Sequence, residues 1–398
     1  MITFEEALVL VFKNTSDFGE VNIPLDKANG RILAENIFAD RDFPPFNRAT
    51  KDGIALNYDG VSKGLSQFKI QAIAAAGSSQ LTLNNNSLCI EIMTGAILPK
   101  NTDTVVMYEH LEIVNGIARL VKSVEKSQNI HPRGSDERQG SLILEKGLQI
   151  TAAEIGVLAS VGKSMVLVKK NPKVCLVSTG NELVNVDEIP EQHQIRKSNS
   201  HTLKAALLNM GIASEMVHIN DDKIETKNIL ESIITENDVV LLSGGVSKGK
   251  YDYLPEVFEE LSITKVFHKV KQRPGKPFWF GINETSNTTV FGFPGNPAST
   301  FANFHIYFIP WLYNCLGFQT SEIAVILEEE FENTTSLTRF MRAKAILKAG
   351  KVFAKFINGN GSGDLTSLAQ SNGFVKVPPN KIYPKGQVVF FIPTRRIV

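Results

Sequence analysis

Val174-Cys175-Leu176-Val177-Ser178-Thr179-Gly180-Asn181-Glu182-Leu183 decides the fold. Four apolar residues read as a buried strand, and the polar, glycine-bearing run behind them reads as the loop leaving its carboxyl end. The same grammar recurs twice downstream. Val239 to Leu242 runs into Ser243-Gly244-Gly245-Val246-Ser247, then Lys248, Gly249 and Tyr251-Asp252-Tyr253. Thr289 to Phe293 runs into Pro294-Gly295-Asn296-Pro297. Helical patterns separate or follow these strands: Asn199 to Met210 closed by Gly211, Lys223 to Thr235, Tyr253 to Leu261, and one long helix from Ala298 to Leu316. Continuous apolar strands alternating with helices predict an α/β domain, a mostly parallel sheet covered on both faces.

The flanks read differently. Thr3 with Glu6 forms a capping box before Phe4, Ala7, Leu8 and Val11, so a helix opens the chain. Strand-like runs follow at Lys69–Ala74, Leu88–Met93 and Thr104–Met107, and Gln128 to Gly140 reads as a loop. Thr151 with Glu154 caps a helix that stops at Gly162. Beyond Ser321 short alternating strands return, at Phe340–Leu347 and Gln387–Ile392, and predict a small β domain. The 398 residues carry 42 basic and 41 acidic side chains, a net charge of +1, which excludes a nucleic-acid-coating surface. Cys89, Cys175 and Cys315 lie far apart, with neither zinc-ligand nor disulfide spacing. No apolar run is long enough to span a bilayer. The expectation is a cytoplasmic protein with no nucleic-acid or membrane partner.

In an open α/β sheet, ligands bind beyond the carboxyl ends of the strands. The three glycine loops are therefore expected to meet there, with backbone N–H groups and a helix N-terminus suited to an anion. Glu182, Asp252 and the pair Asp221-Asp222 are the acidic candidates for Mg²⁺, which takes one or two protein oxygens plus substrate oxygens. Asp222 reads equally well as a helix N-cap. His268, Lys269, Lys271, Arg273 and Lys276 form a basic stretch. Within it Pro274 and Pro277 bracket a short turn that presents Lys276 to an oxyanion such as phosphate or molybdate. GxxxxGK[ST], HExxH and GxSxG are absent, and Asp364 spoils GxGxxG at Gly359–Gly363.

These motifs together resemble the molybdopterin molybdenumtransferase family, which includes the gephyrin E domain. Supporting runs are Pro44-Pro45-Phe46, Asp52-Gly53, Met93-Thr94-Gly95-Ala96, Gly134-Ser135-Asp136, Ala153-Glu154-Ile155-Gly156, Gly361-Ser362-Gly363 and Ser367-Leu368-Ala369-Gln370. The resemblance implies a multidomain α+β architecture: an N-terminal helix at 1–20, a linear domain from 21–40 plus 141–170, an inserted β-rich domain at 41–140, the α/β molybdopterin-binding domain at 171–318, and a β-barrel-like domain at 319–398. It implies insertion of molybdenum from molybdate into adenylylated molybdopterin, with Mg²⁺ and release of AMP. It also implies a homodimer with shared active sites and a molybdopterin adenylyltransferase as substrate donor. By the same resemblance Asp52, Thr94, Glu182 and Asp252 are catalytic, and Glu182, Asp252 and Asp222 face the metal. Substrate contacts fall to Ser178, Thr179, Gly180, Ser243, Gly244, Gly245, Ser247, Lys269, Arg273, Lys276, Pro294, Gly295, Asn296 and Pro297.

The chain departs from the family pattern in places. Asn47-Arg48-Ala49-Thr50-Lys51 replaces the usual Asp-Asn-Ser-Ala-Met before Asp52, Arg196-Lys197 replaces Tyr-Asp, and His131 stands where arginine is common. Two alternatives stay open. A molybdopterin adenylyltransferase would consume ATP and release pyrophosphate, and would not need the flanking β domains. A gephyrin-like scaffold would have no need to keep Glu182 or Asp252.

Overall fold

The computed structural model describes residues 1–246, 253–319 and 321–398. Helix α1 (Phe4–Lys13) has the capping box read from sequence: Glu6 N–H donates to Thr3 Oγ1, and Thr3 N–H to Glu6 Oε2. Its apolar stripe, Phe4, Ala7 and Val11, is buried in the largest core. Phe4 meets the rings of Tyr307 and Phe340 at 5.7 and 5.0 Å. Full burial of such a ring stabilises by roughly 1.5–3 kcal/mol, so α1 ties the central and C-terminal parts together. Next come Glu20–Pro24, paired antiparallel with Met165–Lys169, and helix α2 (Ala152–Ser160), capped by Thr151 and Glu154. Between these segments lies a six-stranded sheet drawn from Gly53 to Leu120. Ile130–His131, inside the expected loop, forms a two-residue ladder with Arg48–Ala49.

The central domain follows: β1 (Val174–Thr179), α3 (Asn199–Asn209), β2 (Ser214–Ile219), α4 (Lys223–Glu236), β3 (Val239–Ser243), α5 (Leu254–Glu260), β4 (Ile263–His268), β5 (Gln272–Arg273), β6 (Trp279–Asn283), β7 (Thr288–Phe293), α6 (Pro297–Asn303) and α7 (Ile309–Cys315). The sheet order is β2-β1-β3-β7-β6-β4. Strands β2, β1, β3 and β7 are parallel; at one edge β6 pairs antiparallel with β7, and β4 antiparallel with β6. Alternate residues of β1 enter different cores. Val174 and Leu176 join the side holding α1, α3, α6 and α7, whereas Cys175 and Val177 join the side holding α4 and α5. That two-sided burial explains the unbroken apolar runs.

The long helix expected over Ala298–Leu316 is continuous but contains a π turn, Phe304–Phe308, between α6 and α7. Pro310 sits in the first turn of α7 and has no N–H to give back to the preceding turn, which favours this local change of pitch. The C-terminal strands β8 (Ile323–Leu327), β9 (Thr338–Lys348), β10 (Lys351–Phe356), β11 (Gly373–Val377) and β12 (Val388–Pro393) pair in the order β9-β10-β8-β12-β11. Strand β11 pairs back onto β9 and closes a barrel. The short β5 leaves the central domain and adds to β9, placing Gln272 beside Thr338 and Arg273 beside Arg339. Among the described residues no helix is long and apolar enough to cross a membrane.

Candidate active site

The three glycine loops converge at the carboxyl edge of the parallel strands. Ser178 and Ser243 are register partners at the ends of β1 and β3, both buried. Gly244 N–H donates to Phe293 O at 3.1 Å, which joins the second loop to the strand before the third. Gly244 has φ +103°, and a Cβ there would lie 2.8 Å from Thr179 Oγ1. Gly245 (φ +66°) packs on the same hydroxyl and on Leu254. Gly295 packs against Gly244, and Asn199 at the start of α3 donates to Gly295 O at 2.7 Å. Asn296 precedes α6, and Pro297 is its first residue.

The exposed Glu182 carboxylate folds back over Gly180, a left-handed position (φ +129°) that favours glycine. The first loop is held from below by β2: Gly180 N–H donates to Ile219 O at 3.3 Å, and Asn181 and Asp221 exchange backbone-to-side-chain bonds at 3.2 and 3.0 Å. Asp222 accepts from Glu225 N–H at 2.8 Å as the N-cap of α4, so of the acidic pair it is Asp221 that joins the loop. Ser247 and Asp252 lie outside the described residues. Among the described residues no cluster of three ligating side chains forms a metal cage. The Glu182 carboxylate at the loops nevertheless fits magnesium, a hard cation held by one or two carboxylates with substrate oxygens completing its shell.

Beside these loops a cleft of about 520 Å³ opens between the central domain and the barrel. Arg273, Lys276, Pro294 and Asn296 line it from one side and Arg339 and Arg342 from the other, and among the described residues no acidic side chain lines it. Strand pairing places Arg273 and Arg339 side by side. Arg339 Nε is buried without a hydrogen-bond partner, and its guanidinium stands 5.3 Å over the Phe331 ring. Burial first, and then the neighbouring Arg273, pushes the Arg339 pKa down. Like charges in adjacent register destabilise a sheet, so this pair suits a bound anion. Lys269 is not among the lining residues; its left-handed backbone (φ +71°) bonds Ile2 and Phe278.

A buried polar network fixes the basic turn. Gln272 Nε2 donates to Asn303 Oδ1 at 2.8 Å and to Pro274 O at 3.0 Å, Tyr307 donates to Gln272, and Asn303 Nδ2 donates to Gly275 O at 3.2 Å. Gly275 (φ +87°) sits so tightly on Asn303 that a Cβ would overlap its carboxamide. On the barrel side Arg342 donates to Gly361 O, Asp364 O and Ser367, and Ser362 O accepts from Ala298 N–H at 2.9 Å.

Asp52 and Thr94 meet elsewhere, in the inserted domain. Asp52 Oδ1 accepts from Thr94 N–H at 2.6 Å and Thr94 Oγ1 at 2.8 Å, which lowers its pKa. Nearby, Arg48 contacts His131 Nδ1 at 3.1 Å, and His131 Nε2 contacts Asp136 at 2.8 Å. Among the described residues, no hydrogen bond or ion pair of the single chain joins this region to the three loops. Sequence reasoning passed over Arg339, Arg342 and His218. The first two sit in ordinary strand patterns, and only the pairing of β5 with β9 reveals their place. His218 is the register partner of Ser178, with Nδ1 3.0 Å from Ser178 Oγ. Burial first, and then Lys197, lowers its pKa.

Comparison with known proteins covers nearly the whole chain. Residues 2–162 match the MoeA N-terminal region (domain I and II), 175–314 the probable molybdopterin binding domain, and 324–394 the MoeA C-terminal region (domain IV). A molybdopterin molybdenumtransferase of Synechocystis sp. is 36% identical over 96% of both chains. One from Staphylococcus epidermidis is 33% identical over 95% of this chain and 91% of the relative. The crystal structure of a molybdopterin biosynthesis moeA protein from Pyrococcus horikoshii superposes with a TM-score of 0.84 at 29% identity over 100% of both chains.

Proposed function

The chain belongs to the molybdopterin molybdenumtransferase family, and from that premise we propose that it inserts molybdenum from molybdate into adenylylated molybdopterin and releases AMP. The observation that carries this reading is the cationic cleft. Arg273, Lys276 and Arg339 face a common space lined by no carboxylate among the described residues, and Pro294–Pro297 connects that space to the glycine loops. An oxyanion in the cleft and a diphosphate on the loops would thus lie on either side of one short turn.

The loops Ser178–Glu182 and Ser243–Val246 would receive the diphosphate, with Ser247 and Asp252 continuing the second loop in sequence. Glu182 and Asp252 would hold Mg²⁺, with Asp221 bracing the first loop and Asp222 capping α4. The ion supplies neutralisation of the diphosphate charge. Lys276 and Arg273 bind the entering oxyanion, and Lys269 backs the turn through its backbone. Donors fixed before the reaction need no reorganisation as charge develops on the leaving phosphate.

Asp52 and Thr94 complete the site from a second copy. A C₂ dimer would lay the inserted domain of one chain on the loops of its partner and form two identical composite sites. The separation of the Asp52–Thr94 pair from the loops within one chain supports this arrangement. The same reading makes the protein cytoplasmic and places it after a molybdopterin adenylyltransferase. The test follows AMP from adenylylated molybdopterin while molybdate and Mg²⁺ are titrated. AMP release that depends on both is expected. ATP consumption with pyrophosphate release would identify an adenylyltransferase, and binding without turnover a scaffold.

A further inference from the structure

The grip on the basic turn is made by amides whose directions are settled by their partners. Gln272, Asn303 and Tyr307 are fully buried at the largest apolar core. The carbonyls of Pro274 and Gly275 can only accept. The Gln272 amide nitrogen therefore faces Pro274 O at 3.0 Å, and the Asn303 amide nitrogen faces Gly275 O at 3.2 Å. That turns Asn303 Oδ1 toward the second N–H of Gln272, at 2.8 Å, and leaves Gln272 Oε1 to accept from the Tyr307 hydroxyl. Lys276 O is held as well, by Val270 N–H at 3.0 Å and Phe278 N–H at 2.9 Å. Three consecutive carbonyls of the turn are thus fixed from beneath. The support comes from one helical stretch: Asn303 closes α6, whose first residue is Pro297 of the third glycine loop, and Tyr307 lies in the π turn that follows.

Buried polar side chains are costly unless each finds a partner, and a fully satisfied network holds its members in one geometry. Here that geometry is transmitted to the two residues on either side of Pro274 and Gly275. Arg273 and Lys276 line the cleft, and among the described residues neither forms a hydrogen bond or an ion pair. We infer that Gln272 is a positioning residue for the oxyanion: it holds the Pro274–Gly275 backbone so that Arg273 and Lys276 reach one anion together, and the Tyr307 hydroxyl acts on the turn only through Gln272. The inference rests on the reading that the cleft takes molybdate.

Gln272→Met, Tyr307→Phe and the double variant separate positioning from simple support of the core. Gln272→Met keeps the volume, frees the turn and leaves the Tyr307 hydroxyl buried without its acceptor. Adding Tyr307→Phe removes that hydroxyl. The melting temperature should therefore fall in Gln272→Met and return part of the way in the double variant. The dissociation constant for molybdate, measured by titration calorimetry without the organic substrate, should rise about tenfold in Gln272→Met and stay there in the double variant, because the turn is equally unheld in both. Tyr307→Phe alone lets Gln272 rotate and should raise it about threefold. KM for adenylylated molybdopterin should stay near wild type in all three. Molybdate affinity that recovers together with the melting temperature, or wild-type affinity in all three, would overturn the inference while leaving molybdate in the cleft. If Gln272→Met does not fold, Tyr307→Phe decides: threefold weaker binding supports the inference, and wild-type affinity overturns it. Wild-type protein that binds no molybdate would overturn the reading of the cleft, and the inference with it.

Discussion

Glu182 is exposed, and its carboxylate lies over Gly180, whose left-handed backbone (φ +129°) favours glycine. Position, rather than burial, gives it a role. Glu182→Gln keeps the shape and removes the charge. Losing an electrostatic contact of this kind costs about 10²–10³ in rate, and that loss of AMP release is expected with an unchanged melting temperature. A Mg²⁺ titration that leaves the variant at wild-type rate would remove Glu182 from the metal. Arg339 makes the complementary case. It stands beside Arg273, with an Nε that is buried and without a partner among the described residues, so the two like charges favour an anion between them. Arg339→Met should melt no lower than wild type without ligand. It should also lose the upward shift in melting temperature that molybdate gives wild type, because a bound ligand stabilises only as far as it is bound. A larger molybdate shift in the variant would reject the cleft.

At the scale of elements, the turn from Arg273 to Lys276 is shaped by what lies under it. Gly275→Ala would force a Cβ into Asn303 at a backbone angle that disfavours side chains, and should cost roughly 1–3 kcal/mol in urea unfolding. Adding Asn303→Ala should recover part of that loss, since the two changes share one space. The loop from Asn360 to Ser367 depends instead on Asp364, which accepts from Asn360 N–H, Ser367 N–H and Thr366 Oγ1. Those bonds, Thr366 first, hold its pKa well below the usual carboxylate range. A depressed folded-state pKa means that folding favours the ionised form. Its contribution is complete above the unfolded value of about 3.9 and is lost as pH falls through the folded value. Asp364→Asn should therefore flatten the acid side of the stability–pH curve, measured by denaturant midpoint.

Across the whole molecule, the glycine loops were legible because each follows an apolar strand, and strands buried on both faces announce themselves. In the central six-stranded sheet three strands, Ser214–Ile219, Ile263–His268 and Trp279–Asn283, were not. Two of them lie at sheet edges, and exposed Glu215, Thr264 and Lys265 interrupt their apolar pattern. Arg339 and Arg342 stayed hidden for a different reason. Their chemistry arises where a two-residue strand of one domain pairs with the barrel of another, and short-range patterning carries no trace of that encounter. The composite dimer belongs to this scale too. Asp52→Ala and Asp252→Ala should each be nearly inactive alone. Co-expressed with different tags, random pairing gives mixed dimers about half the time, each with one intact site, hence roughly a quarter of wild-type activity. No recovery in verified mixed dimers would return Asp52 to its own chain.

The account turns on one space, the cleft that Arg273, Lys276 and Arg339 line together. Anomalous diffraction at the molybdenum edge, from crystals of the full chain equilibrated with molybdate, addresses it most directly. We expect one strong peak in that cleft, lost in Arg339→Met. Molybdenum bound elsewhere, or an empty cleft in crystals of active protein at saturating molybdate, would contradict it.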